Sequence, residues 1–204
     1  MVGEETMKRC FILGNGPSLL SQDLSPLRME TTFACNRFVR WQGAWTPTYY
    51  ACSANAIIKG VEPAEPPFKE SKFLVSRRRD QLASFNGDWV KVYKKESFPP
   101  LMSGATELNV MGGATMVGVM AQLAIWLGYE QLYFLGIEQQ PGGHVFDPMG
   151  SKMPYFIPDE AELFKRWAEL KSIYEAVGVR LRDCTPRGRL NEILGYQLLK
   201  EVLG

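Results

Sequence analysis

The 204-residue sequence predicts an α/β fold: a Rossmann-like, mostly parallel sheet with helices on both faces, in a single domain. Three observations predict it. Short β-branched and aromatic runs alternate with longer amphipathic stretches, the pattern of βαβ units. The first run stops on a glycine-rich turn, Gly14-Asn15-Gly16-Pro17-Ser18. Hydrophobic residues make up 46% of the chain and charged residues 22%, enough apolar material for one core and too much for wholesale disorder.

The elements follow in order. Residues 8–13 (KRCFIL) form an apolar run bounded by the turn, which marks a buried strand. Residues 31–35 (TTFAC) and 48–52 (TYYAC) are two more strands, and 73–76 and 89–93 are further candidates. The three prolines of residues 61–67 (VEPAEPP) forbid regular structure and mark a loop, and 97–103 (SFPPLMS) is a second break. Residues 112–127 carry apolar side chains around most of a helical wheel, which predicts a helix buried on several sides, with Gly128 capping its end. Residues 131–137 (QLYFLGI) read as a central strand, and a glycine- and proline-rich, lid-like loop follows over 140–158. Pro158 suits the first turn of a helix, with Asp159 and Glu160 favourable beside it. Leu163, Trp167, Leu170, Tyr174 and Val177 make its apolar stripe, and Gly178 ends it. Residues 179–184 (VRLRDC) alternate as a strand, and 190–203 form a last amphipathic helix.

Composition excludes several classes of function. Lys plus Arg is 23 and Asp plus Glu is 22, a formal charge of +1, so a globally basic nucleic-acid coat is ruled out. No apolar run approaches the ~20 residues of a membrane span, and residues 1–10 lack the apolar core of a signal peptide. A soluble, cytoplasmic chain is the expectation. Cys10, Cys35, Cys52 and Cys184 lie far apart with no CxxC pair, as expected of small buried hydrophobes in a reducing compartment. With one histidine and no ligands at zinc spacing, no zinc site is predicted.

In open parallel sheets ligands bind beyond the carboxyl ends of strands. Gly14, Asn15, Gly16 and Ser18 follow the first strand there: the glycines let the backbone approach a ligand, Ser18 is placed to cap a helix, and free N–H groups would meet a phosphate. A plain strand-to-helix turn has the same composition. Asn36 and Arg37 end the second strand, and Ser53 and Asn55 the third. Neutral amides and hydroxyls at adjacent strand ends suit a nucleotide base or sugar, although Asn also simply terminates strands. Gly112 and Gly113 open the buried helix, for a second anionic group or for close packing. Glu138, His144 and Asp147 fall within ten positions and are the candidates for a general acid or base, or for Mg²⁺ ligands. Arg77, Arg78 and Arg79 read as a solvated cationic face rather than a substrate clamp.

The motif ILGNGPSL at residues 12–19, followed by FACNRF at 33–38, resembles the amino-terminal motifs of the bacterial sialyltransferases of glycosyltransferase family 42. Residues 112–138 (GGATMVGVMAQLAIWLGYEQLYFLGIE) resemble the same family's glycine-led helix and following strand. They are also similar to a sister family of unknown function that includes hydroxymethylpterin pyrophosphokinases. The likeness spans about residues 9–147, with a weaker echo to 188. It implies that Asn15 and Asn36 contact a CMP-linked donor. Gly112 looks like the position of a donor-binding serine, so that hydroxyl is absent here. Gln140 and His144 look like the positions of a tyrosine pair that holds the donor phosphate. The family's histidine base has no counterpart in residues 149–158.

The expected function is therefore a nucleotide-dependent transferase using a nucleotide-activated, CMP-sialic-acid-like sugar as substrate, with an unidentified acceptor. His144 and Asp147 are its catalytic candidates, and Gly14, Asn15, Gly16, Ser18, Asn36, Ser53, Gly112, Gly113 and Gln140 its nucleotide-binding ones. No resident cofactor is predicted. The alternatives are a Mg²⁺-dependent pyrophosphokinase of the pterin type and a non-catalytic nucleotide-binding module.

Overall fold

The computed structural model describes residues 7–40, 45–53, 72–76, 88–93, 109–111, 115–138 and 159–204. Its strands are β1 (Arg9–Leu13), β2 (Thr32–Cys35), β3 (Tyr49–Ser53), β4 (Lys72–Ser76), β5 (Asp88–Tyr93), β6 (Asn109–Met111), β7 (Gln131–Leu135) and β8 (Arg180–Asp183). Among the described residues they form one sheet in the order β6-β5-β4-β3-β2-β1-β7-β8, with every pairing parallel. The α/β class and the parallel sheet are as the sequence predicts. β6 is an additional strand, too short to stand out as an apolar run.

The chain builds outward from β1 to β6, then returns to β1's other edge. Helix α1 (Met116–Trp126) makes that return, packed across β1, β2 and β3. The strand order therefore reverses between β1 and β7, and the carboxyl ends of these two strands flank the switch point. β7 was expected at the centre of the sheet on the strength of its apolar run. It lies second from the β8 edge, and Leu132, Phe134 and Leu135 are buried because packed layers cover both faces of the sheet there.

Strict alternation along the strands sorts the core into two layers. One face, carrying Cys10, Ile12, Phe33, Cys35, Leu132, Phe134 and Leu181, packs against α1 and against α2 (Glu160–Glu175). The Trp167 ring meets Phe134 edge-on with centroids 5.3 Å apart. The other face, carrying Phe11, Leu13, Ala34, Tyr50, Cys52 and Leu135, is covered by Leu19, Leu27 and Phe38 from short 3₁₀ segments, by Leu24 between two of them, and by α4 (Leu199–Leu203). All four cysteines are buried and free of disulfides.

Several boundaries differ from expectation. α1 starts at Met116, because the Thr115 side chain accepts from the Gly118 N–H and supplies the cap. Asp159 caps α2 by accepting from Ala161 N–H. Val177 was expected on α2's buried stripe but is 65% exposed, since the helix ends at Glu175 and the chain turns through Gly178 at φ 89°. The single last helix predicted over 190–203 is two: α3 (Asn191–Leu194) and α4, separated at Gly195, whose φ of 78° no helix accepts. Between them Tyr196 bridges to Asp183, extending β8's edge. The loops at 61–67 and 97–103 and the arginines 77–79 lie outside the described residues. Among the described residues no helix is long and apolar enough to cross a membrane.

Candidate functional site

The glycine turn sits at the switch point, and its glycines serve the sheet. Gly14 N–H donates to Leu135 O at 2.7 Å and Gly16 N–H to Gly136 O at 2.9 Å, so the turn continues the β1–β7 pairing beyond the strands. A Cβ on Gly14 would overlap the Gly136 carbonyl, and one on Gly16 would overlap the Glu138 carboxylate. Gly136, at φ 65°, leaves no room for a side chain against Leu19. The sequence reading gave these glycines to ligand approach. Here they admit a neighbouring strand end and a carboxylate.

Glu138, a candidate acid, base or Mg²⁺ ligand from the sequence, is engaged with the turn. Its Oε1 accepts the Ser18 N–H at 2.5 Å, and its Oε2 is buried without a hydrogen bond. Ser18 does not cap a helix. It lies inside a 3₁₀ turn, Pro17–Ser21, that begins after Gly16 with no side-chain cap. A backbone donor expected to meet a phosphate is thus taken by a carboxylate, whose charge disfavours a second anion at the same point.

Asn15 is 7% exposed, and its Nδ2 donates to Cys35 Sγ at 3.7 Å. Its Oδ1 is buried and makes no hydrogen bond, and neither does the buried Ser18 hydroxyl oxygen. Buried polar atoms almost always find a partner, so this concentration at one turn marks a place where the described protein groups leave the bonding unfinished. Asn36 directly follows β2 with φ 47°, a left-handed conformation that Asn tolerates, and its carbonyl accepts from the Tyr50 hydroxyl at 2.7 Å. Because β1 and β2 are parallel, with Leu13 beside Ala34, Asn15 and Asn36 stand at the same carboxyl edge on neighbouring strands.

On β7's other side, Asp183 ends β8 fully buried. Its Oδ1 accepts the Thr185 N–H at 2.8 Å, the Thr185 hydroxyl also bonds to it, and its Oδ2 has no partner. Burial is the main reason that its carboxyl is pushed up to about 6. The two Thr185 bonds oppose that rise, and the neighbouring charge of Glu138 adds to it. Burial, with the Asp183 charge second, pushes the Cys184 thiol up to about 12. Among the described residues no three His, Cys, Asp or Glu side chains gather closely enough to hold a metal ion.

The structure thus brings together Gly14, Asn15, Gly16, Ser18, Asn36 and Glu138. Ser53 ends β3, two strands from β1, at the same edge, but its side chain lies outside the described residues. Asn55, Gly112, Gly113, Gln140, His144 and Asp147 also lie outside them. Sequence reasoning missed Cys35 as Asn15's partner, Glu138 as the clasp on the turn, and Asp183 with Thr185. An acidic residue at the end of an otherwise alternating edge strand was the available signal for Asp183.

The fold class is a parallel α/β sheet with polar groups at its switch point. Its fold is that of solved bacterial sialyltransferases. The chain is similar to the sialyltransferase CstII from Campylobacter jejuni in complex with the substrate analogue cytidine-5′-monophosphate, at 16% identity over 93% of this chain and 85% of that one, with a TM-score of 0.58. It is similar, at a TM-score of 0.57 and 16% identity over 93% and 86% of the two chains, to the CstII complex with a trisaccharide acceptor and CMP. It is also similar to the apo form of an α-2,3-sialyltransferase from Campylobacter jejuni, at 15% identity over 95% and 81% and a TM-score of 0.51. No family model matches the chain. No curated protein matches it in sequence.

Proposed function

We propose that the chain is one nucleotide-binding domain that transfers a group from a nucleotide-activated donor, with a CMP-linked, sialic-acid-like sugar as the group carried. The observation that carries the reading is the buried, unpartnered Oδ1 of Asn15 at the switch point, one strand from Asn36, in a fold whose solved neighbours were captured with CMP. An acceptor oxygen held in that orientation by Cys35 suits an N–H or O–H of the nucleoside. With Glu138 on the Ser18 N–H, the donor phosphate is assigned away from the turn, to Gly112, Gly113, Gln140 and His144. Asp147 orients His144, which stabilises the departing phosphate, and electrostatic stabilisation of that leaving group supplies most of the rate. Ser53 and Asn36 complete the nucleoside contacts.

A thermal-shift series with CMP, other nucleotides and CMP-sialic acid tests this, followed by an assay for release of CMP. A ligand at 100 times its dissociation constant adds about 2.7 kcal/mol, or roughly 5–11 °C for a chain of this size. His144→Ala should lower turnover about 100-fold or more. No shift with any nucleotide, and no turnover, overturns the proposal. The proximity of Glu138 and Asp183 favours one second reading, Mg²⁺-dependent pyrophosphoryl transfer, which needs carboxylates near the triphosphate. A shift with ATP that requires Mg²⁺ would select it.

A further inference from the structure

We infer that Asp183 is a positioning residue for the glycine turn, acting across β7 through Thr185, Ile137 and Glu138. The relay is continuous. Asp183 holds Thr185 at both its N–H and its hydroxyl. The Thr185 oxygen accepts the Ile137 N–H at 3.2 Å, just past the end of β7. The next residue, Glu138, has its carbonyl bonded by Arg189 N–H and its carboxylate on Ser18 N–H, over Gly16. Side chains thereby join the carboxyl ends of β8, β7 and β1 in sequence, beside the backbone bonds that continue the β1–β7 pairing into the turn.

The alternatives for Asp183 are weaker. It makes no ion pair among the described residues, and a fully buried carboxylate without a cation is costly. Gly188 folds closely over it, where a Cβ would come within 2.9 Å of Oδ2. Such a group is tolerated where its bonds fix a conformation that apolar packing cannot fix. The charge that acts on it is that of Glu138 after β7, and its own charge raises the Cys184 thiol beside it in the chain and the Tyr196 hydroxyl across the bridge.

The relay stands on its own geometry, and only its consequence for donor binding rests on the proposed function. Residue-resolved amide exchange on the unliganded protein tests it. Thr185→Val, which keeps shape and removes the hydroxyl, and Asp183→Ala should speed exchange at Ile137 and at Ser18 by about tenfold or more relative to Trp167 in α2. Thr185→Ser should restore both. Asp183→Asn keeps an acceptor, so it should retain protection. In the wild type, Ser18 protection should weaken as pH rises through about 6, where Asp183 and Glu138 begin to repel, and Asp183→Asn should lose that dependence. Ser18 exchange that stays at the wild-type rate in both breaking variants, or rises only in step with Trp167, overturns the inference. Calorimetric titration of CMP into the same proteins adds the second arm. Affinity should fall in the two breaking variants and hold in Asp183→Asn. A wild type that binds no CMP overturns the nucleotide reading alone, because the exchange results still decide the relay.

Discussion

Two residues of the turn have opposite energetic characters. Gly16 is required by packing, since any side chain there enters the space of the Glu138 carboxylate. Gly16→Ala should destabilise the protein by about 1–3 kcal/mol, the scale of overpacking, and Glu138→Ala in the same chain should recover part of that loss. A double-mutant cycle by denaturant unfolding should give a coupling energy above about 0.5 kcal/mol, and simple additivity would mean the two do not meet. Asn15 is different, because its Oδ1 is already unpaired in the fold. Removing an orphaned acceptor spares a desolvation cost, so Asn15→Ala should shift the melting temperature little. It should weaken CMP binding by about tenfold or more, one good hydrogen bond's worth. A variant that loses stability and keeps its affinity for CMP would make Asn15 a structural residue.

At the scale of elements, caps and breakers decided where reading the sequence succeeded. Thr115 starts α1 through a long 3.4 Å bond to Gly118 N–H, so Thr115→Ala should cost about 0.5–1 kcal/mol in urea unfolding, toward the low end for such caps. No measurable cost would place the start of the helix under other control. The strands β1, β2, β3 and β7 were legible because each is an apolar or β-branched run bounded by turn residues. β6 was not, since three residues carry no period. The split between α3 and α4 turns on the positive φ of Gly195, and a helical wheel drawn over residues 190–203 does not register it. Placing Asn15 and Asn36 at strand ends needed only local pattern. Seeing that Glu138 closes on Ser18 needed the β1–β7 pairing, which joins residues about 120 positions apart and leaves no trace in local periodicity.

For the molecule as a whole, Asp183 ties stability to pH. Folding raises its carboxyl from the ordinary range to about 6, chiefly by burial. Between about pH 4 and pH 6 the folded state holds a proton that the unfolded state releases. Stability from this group therefore falls as pH rises through that window, and the full penalty, on the order of 2–3 kcal/mol, stands above it. Asp183→Asn imitates the protonated form, so it should match the wild type only below about pH 4 and melt higher near pH 8. Parallel melting curves at all pH values would show that Asp183 is charged in the folded protein throughout.

The reversal of strand order also has a consequence for synthesis. β1 leaves the ribosome before the other described strands, and β2 can pair with its one edge within seconds. Its other edge waits for β7, with Leu13 paired to Leu135, and at about 5–20 residues per second that wait is several seconds or longer. During it, an apolar strand stands half-zipped. A chain stopped before β7 would carry that open edge permanently, and nascent fragments of this length should need chaperone cover that the finished protein does not. The switch point beside Asn15 is thus among the last parts of the molecule to form.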